Sequence, residues 1–191
     1  MTNLGALGGI ESGAFAVNNR SQVTGEFTFV DSEGNGITHT FLWEGGVMQD
    51  LGTISGDQSS IPNAIDDKGR VVGASGSGVA PEFNFTPLHA FLWENGVMTD
   101  LNTRIPANAG FQLIFAFGIN PGGQIVACGV EASGNIHAVL LTPAHEAGSL
   151  TGSAPAPENN AKQRPQVSPS ENARRLLRLA TPGLGRFRLG K

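Results

Sequence analysis

Three histidines, His39, His89 and His137, each head a similar stretch of sequence. Imidazoles placed this way could ligate a metal ion or carry protons. They could equally bond a neighbouring carboxylate or backbone group and hold their own stretch in place. A side chain tied to one position of a repeat ordinarily serves the repeat, so a structural role is the expectation for all three. Asp50 and Asp100 recur in the same way and are expected to cap turn or strand-end amides, as Asx turns do. Catalysis by paired carboxylates needs two such groups about 5–10 Å apart, and no spacing in the chain predicts a pair. Asp66–Asp67–Lys68–Gly69 has the look of a calcium loop. Its matching turns, Asn18–Asn19–Arg20–Ser21 and Asn120–Pro121–Gly122–Gly123, lack those carboxylates. Calcium takes several oxygen ligands from a defined loop, so a plain turn is expected.

The single cysteine, Cys128, lies between Ala127 and Gly129, with no histidine or asparagine partner identifiable from spacing. It reads as a small buried apolar residue rather than a nucleophile, and one cysteine excludes an internal disulfide. Gly73–Ala74–Ser75–Gly76–Ser77 places a serine where a nucleophile elbow needs its last glycine. No phosphate loop or dinucleotide fingerprint is present. Trp43 and Trp93 offer rings on which a sugar could stack, but they share one strand position, and packing is the expectation. These residues predict no enzyme, no cofactor and no metal site.

The elements that must position these side chains are short hairpins. His89–Ala90–Phe91–Leu92–Trp93 and Val97–Met98–Thr99–Asp100 flank Glu94–Asn95–Gly96, and Asn-Gly is the pair that most readily makes a type I′ turn. The same hairpin runs from His39 to Leu51 with Gly45–Gly46 at its turn. Between His39–Thr53 and His89–Thr103, eleven of fifteen positions are identical. A third copy opens at His137–Ala138–Val139–Leu140–Leu141. Each copy is preceded by another hairpin, turning at 18–21, 66–69 and 120–123, with β-branched and aromatic flanks. One repeat is therefore four short strands, a to d. In strand c, His89, Phe91 and Trp93 point one way, and Ala90 and Leu92 the other. Apolar residues on both faces predict a strand held between two layers. The fold class expected is all-β: three four-stranded, antiparallel, propeller-blade-like repeats of about 50 residues, a partial β-propeller.

Composition agrees with many turns and few helices: 27 glycines, 39% hydrophobic and 15% charged residues among 191. No apolar run approaches the ~20 residues of a membrane-spanning helix, and the start of the chain lacks the pattern of a signal peptide. The net charge of −4 conceals a split of −9 over residues 1–143 and +5 over 144–191. Two regions are expected, a β-repeat domain over 1–143 and a low-complexity basic tail over 144–191. Within the disordered tail a short helix is predicted near 170–180, from a Ser170 cap to a Pro182–Gly183 stop. The acidic body argues against nucleic acid as a partner.

The long motif from His89 to Leu101, its copy from His39, and the lead-in Leu4–Gly5–Ala6–Leu7–Gly8–Gly9 together resemble the bacterial HAF repeat family, named for its His-Ala-Phe signature. The resemblance covers roughly residues 4–143. It implies propeller-like blades, usually in extracellular or cell-surface proteins, and no particular activity. The chain departs from the family in lacking a secretion signal and in having three repeats.

Closed propellers have about four to eight blades, and three leave open faces and unpaired edges. Leu4–Gly9 resembles the tail of a d strand, the strand that the third copy lacks, so the two would be in phase to pair. Three arrangements are open: a fragment of a longer protein, two copies closing one ring as a homodimer, or a single open β structure. The expected function is a non-enzymatic scaffold or interaction module whose partner is a protein or a glycan. Its variable surface would be the connection between strands b and c, above all Val79–Pro87. The alternative is a carbohydrate-binding module that uses Phe83, Asn84 and Phe85. The repeat signature His39, Phe41, Trp43, Asp50, His89, Phe91, Trp93, Asp100 and His137 is expected to be structural.

Overall fold

The computed structural model describes residues 1–77 and 88–144. Strands β1 (Glu11–Val17), β2 (Val23–Val30), β3 (Gly36–Glu44) and β4 (Val47–Gly52) form a first sheet in chain order. Strands β5 (Ser59–Ile65), β6 (Val71–Gly76), β7 (Leu88–Glu94) and β8 (Val97–Asp100) form a second. Strands β9 (Phe111–Ile119), β10 (Ile125–Glu131) and β11 (Ile136–Leu141) form a third. All pairings are antiparallel and all three sheets are open. The expected four strands are present in two sheets, while the third has three among the described residues. After Leu141 the sequence runs into Pro143, which cannot donate to a ladder.

Local chemistry accounts for the hairpins. Gly45, Gly46, Asn95 and Gly96 all have positive φ, between +52° and +92°, as the tight type I′ connections require. In the first hairpin of each repeat, Asn18, Asp66 and Asn120 accept backbone N–H bonds from four residues on, through the side-chain oxygen. A β-bulge falls at one repeat position in every sheet, between Ala14 and Ala16, Pro62 and Ala64, and opposite Val126/Ala127 in β10. Leu4–Gly9 does not form the anticipated d strand. Gly5, Leu7 and Gly8 all have positive φ, which breaks an extended run, and Gly9 donates to the Ala6 carbonyl in a turn. Ile10 then donates to Thr28, which lays the chain along β2 rather than on the third sheet.

The sheets lie face on face in the order first, second, third. Strand β5 crosses β1, β2 and β3, and β9 crosses β5, β6 and β7, while β4 and β8 touch much less. The first strand of each following sheet thus lies across the first three strands of the sheet before it. The second sheet is held between the other two, as the two-faced strand c predicts. Phe91, Trp93 and Val71 pack with Leu42 and Leu51 of the first sheet. On the opposite face, Val72 and Ala90 pack with Leu113, Ala116, Ile125 and Ala127 of the third. A further cluster joins Ala74 to Ile114, Phe115 and Val130. Each fully buried Val, Leu, Ile or Phe here contributes roughly 1.5–3 kcal/mol.

Candidate functional site

The recurrent histidines do not share one environment. His39, on β3, holds Asp50 of the neighbouring β4, with Nδ1 at 3.0–3.1 Å from both carboxylate oxygens. Its ring also packs edge-on to Phe27 and Phe29, with centroids at 6.1 and 5.0 Å. His89, at the matching place on β7, turns instead to Asp57, in the connection between the first two sheets, at 3.0 Å. The Asp57 side chain is only 5% exposed. That bond, then the nearby negative charges, hold the His89 imidazole above its ordinary pKa against the opposing pull of burial. His137 lies 3.5 Å from Glu131 and edge-on to Phe111. Each imidazole therefore meets a carboxylate, and each carboxylate comes from a different part of the repeat.

Asp50 and Asp100 accept backbone bonds two residues on, from Gly52 at 2.7 Å and Asn102 at 2.8 Å. Asp100 thereby caps the 3-10 turn Leu101–Thr103. Burial pushes the Asp50 carboxyl up, but the His39 and Gly52 bonds outweigh it and hold the group below its usual range. Asp66 is spent on Arg70, which reaches it through both Nε and a terminal nitrogen, and Asp67 on Asn19. The calcium-like turn is thus an Asx turn in contact with the first sheet. Among the described residues, no three His, Cys, Asp or Glu side chains are grouped to hold a metal ion. Trp93 and Phe91 are buried between sheets, Phe41 is buried against Gly25, and Trp43 is half-buried. Cys128 is half-buried and burial pushes its thiol up, away from the reactive thiolate. Phe83, Asn84 and Phe85, the tail and the helix expected near 170–180 lie outside the described residues.

Sequence reasoning passed over Glu26. It stands opposite Thr40 on β3 and Gly13 on β1. Two of its neighbours, Thr24 and Thr28, pair across with Leu42 and Thr38, so all share the face that meets the second sheet. Burial, then the Glu11 charge, raise the Glu26 carboxyl from 4.5 to about 7. Its Oε2 and the Thr40 hydroxyl have no hydrogen-bond partner among the described residues. The signal available in the sequence was positional: the same place is Ala74 in the second repeat and Cys128 in the third.

No protein-family model matches the chain, and neither a curated protein nor a solved structure matches it. No helix among the described residues is long and apolar enough to cross a membrane.

Proposed function

We propose that the chain is a non-enzymatic scaffold of β-propeller type, whose stacked sheets act as blades and carry variable connections outward. The observation that carries this reading is how the repeated polar residues are used. His39, His89, Asp50, Asp66 and Asp100 are each engaged with a neighbouring side chain or amide of the same fold. On this reading the likeness to HAF repeats extends to their setting, an extracellular or cell-surface protein, and the partner is a protein or a glycan.

Reactive groups and framework groups respond oppositely to replacement. A residue kept for chemistry is often neutral or costly to stability, so removing it leaves the melt unchanged or raises it. A framework residue lowers it. His89→Ala and Asp57→Asn should each reduce Tm, the first because it leaves the buried Asp57 carboxylate without its imidazole partner, the second because it replaces a charge-assisted bond by a neutral one. The His89 pKa is raised on folding, so the ionic part of this stabilisation is complete below about pH 6.5. It is lost as pH rises through the folded value, and the deficit should shrink accordingly. Melts of the variants at pH 5.5 and 8.5 test this; an unchanged or higher Tm at both would remove the framework reading.

A further inference from the structure

The two outer faces of the stack repeat many of the side chains of the two buried faces of its middle sheet. On the second sheet, the face against the third presents Val72 opposite Leu92, and Ala74 opposite Ala90. On the third sheet, the outward face presents Val126 opposite Leu140, and Cys128 opposite Ala138, in the same register. Three of these four positions keep the same residue, and the fourth exchanges Ala for Cys. Yet Val126 is 50% exposed and Leu140 is 60% exposed.

The first sheet shows the converse. The second sheet meets it through Val71, Phe91, Trp93, Met98 and Ile65. The outward face of the first sheet presents Val23 opposite Trp43, Trp43 opposite Met48, and Val17 opposite Val23. These are the matching positions, with the residue unchanged at Val23, Trp43 and Met48. Phe41, on the same face, stands where Phe91 does and is already buried against Gly25 within the chain. Val17, which stands where Ile65 does, is 67% exposed. One outer face is thus a copy of a surface that receives a following sheet, and the other a copy of a surface that receives a preceding one.

The turns repeat the same asymmetry. Asn18 Nδ2 bonds the Asp66 carbonyl of the next sheet at 2.8 Å and Gln22 at 2.6 Å. Asn120 makes the same bond to Gln124, at 2.8 Å. The sheet-to-sheet acceptor that Asn18 finds in Asp66 would be supplied to Asn120 by a following sheet.

We propose that the outer face of the third sheet receives the outer face of the first sheet of a second copy of this chain. Two copies cover both pairs of faces reciprocally and continue the internal stack through six sheets. The occupant follows from continuity: the joint between copies uses the residues and register of the joints within one copy. Each joint pairs unlike faces, and a two-fold axis between two copies would form both joints at once and close the assembly. Six sheets fall within the four to eight of closed propellers. The inference rests on reading the sheets as stacked blades. The melts above test that reading, and the masses below test the pairing.

Size exclusion with light scattering on the full chain should give twice the chain mass at micromolar concentration. Leu140→Arg and Val17→Arg change exposed positions, so each should keep the wild-type far-UV spectrum while its mass falls to one chain. Each variant retains the face that the other has lost. Mixed in equal amounts, they should return to the mass of two chains through one intact joint. A monomeric wild type would overturn the proposal, as would open-ended growth in mass or a mixture that stays monomeric. A monomeric wild type whose melt drops on Leu140→Arg would show that the chain itself covers that face.

Discussion

The joint between the first and second sheets differs in kind from the joint between the second and third, although one backbone plan builds both. At matching positions the first sheet offers Thr24, Glu26 and Thr40, where the second offers Val72, Ala74 and Ala90. The first joint has an apolar half around Leu42, Phe91 and Trp93, and a polar half of buried hydroxyls. There the Ser60 hydroxyl accepts from Thr40 N at 2.9 Å and donates to the Gly52 carbonyl at 2.6 Å. The Thr24 hydroxyl donates to the Phe41 carbonyl, and Thr28 meets Thr38. The second joint is apolar along both of its clusters. Strand spacing and bulge position can therefore be kept while the adhesive between layers is changed. A joint of hydroxyls and one carboxyl answers to pH; a joint of Ala, Val, Leu and Ile does not.

The largest effect expected comes from breaking the apolar joint. Leu113, on β9, is fully buried against the second sheet. Leu113→Ala should cost about 2–5 kcal/mol through lost transfer energy and the cavity left behind. Denaturant melts should show this loss to be equal at pH 5 and pH 8. A strongly pH-dependent loss would mean that the two joints are not separate in character.

The next effect is at the polar joint. In the unfolded chain Glu26 ionises near 4.5, and in the folded chain near 7. Between those values the folded state holds a proton that the unfolded state has released, so stability falls as pH rises through this window. At about 1.36 kcal/mol per pH unit the penalty reaches at most about 3 kcal/mol above pH 7. Glu26→Gln keeps the shape without the charge. Its stability should match wild type at pH 4 and exceed it at pH 8. Equal pH profiles for the two proteins would show that Glu26 is not the group that makes this joint pH-sensitive.

The smallest effect sharpens the comparison within sheets. A Cβ on Gly73 would run into the Ile61 carbonyl oxygen, and one on Gly25 into that of Gly13. The third sheet has Ala127 at this place and a second irregularity between Cys128 and Gly129. Gly73→Ala should cost about 1–3 kcal/mol, as overpacking does, and Ala127→Gly should also destabilise, by about 1–2 kcal/mol, through backbone entropy and the loss of a buried methyl. Paired melts decide it; an Ala127→Gly variant as stable as wild type or more so would show that the extra irregularity does not make room for the methyl.

Much of the fold was legible because it is set locally. Asn95–Gly96 specifies its own turn, and Asn18, Asp66 and Asn120 bond amides within four residues. The alternation of Phe91 and Trp93 with Ala90 and Leu92 already required two neighbours for one strand. The d strand expected at Leu4–Gly9 failed for an equally local reason, since its likeness to the tail of β4 did not carry the backbone angles of a strand.

What the sequence determined by itself is the repeat: four-strand units, their turns, and a middle copy apolar on both faces. These depend on contacts between near neighbours and on a period of two. Only the tertiary structure decided how the repeated residues are partnered. His39 takes Asp50 from its own hairpin, while His89 takes Asp57 from the connection to the preceding sheet. Only the stacking put Glu26 inside a joint and left Val126, Leu140 and Val17 outside one. The physical reason is that burial and ionisation belong to surfaces brought together by distant parts of the chain. Identical residues such as Val72 and Val126 acquire opposite environments according to whether another sheet arrives.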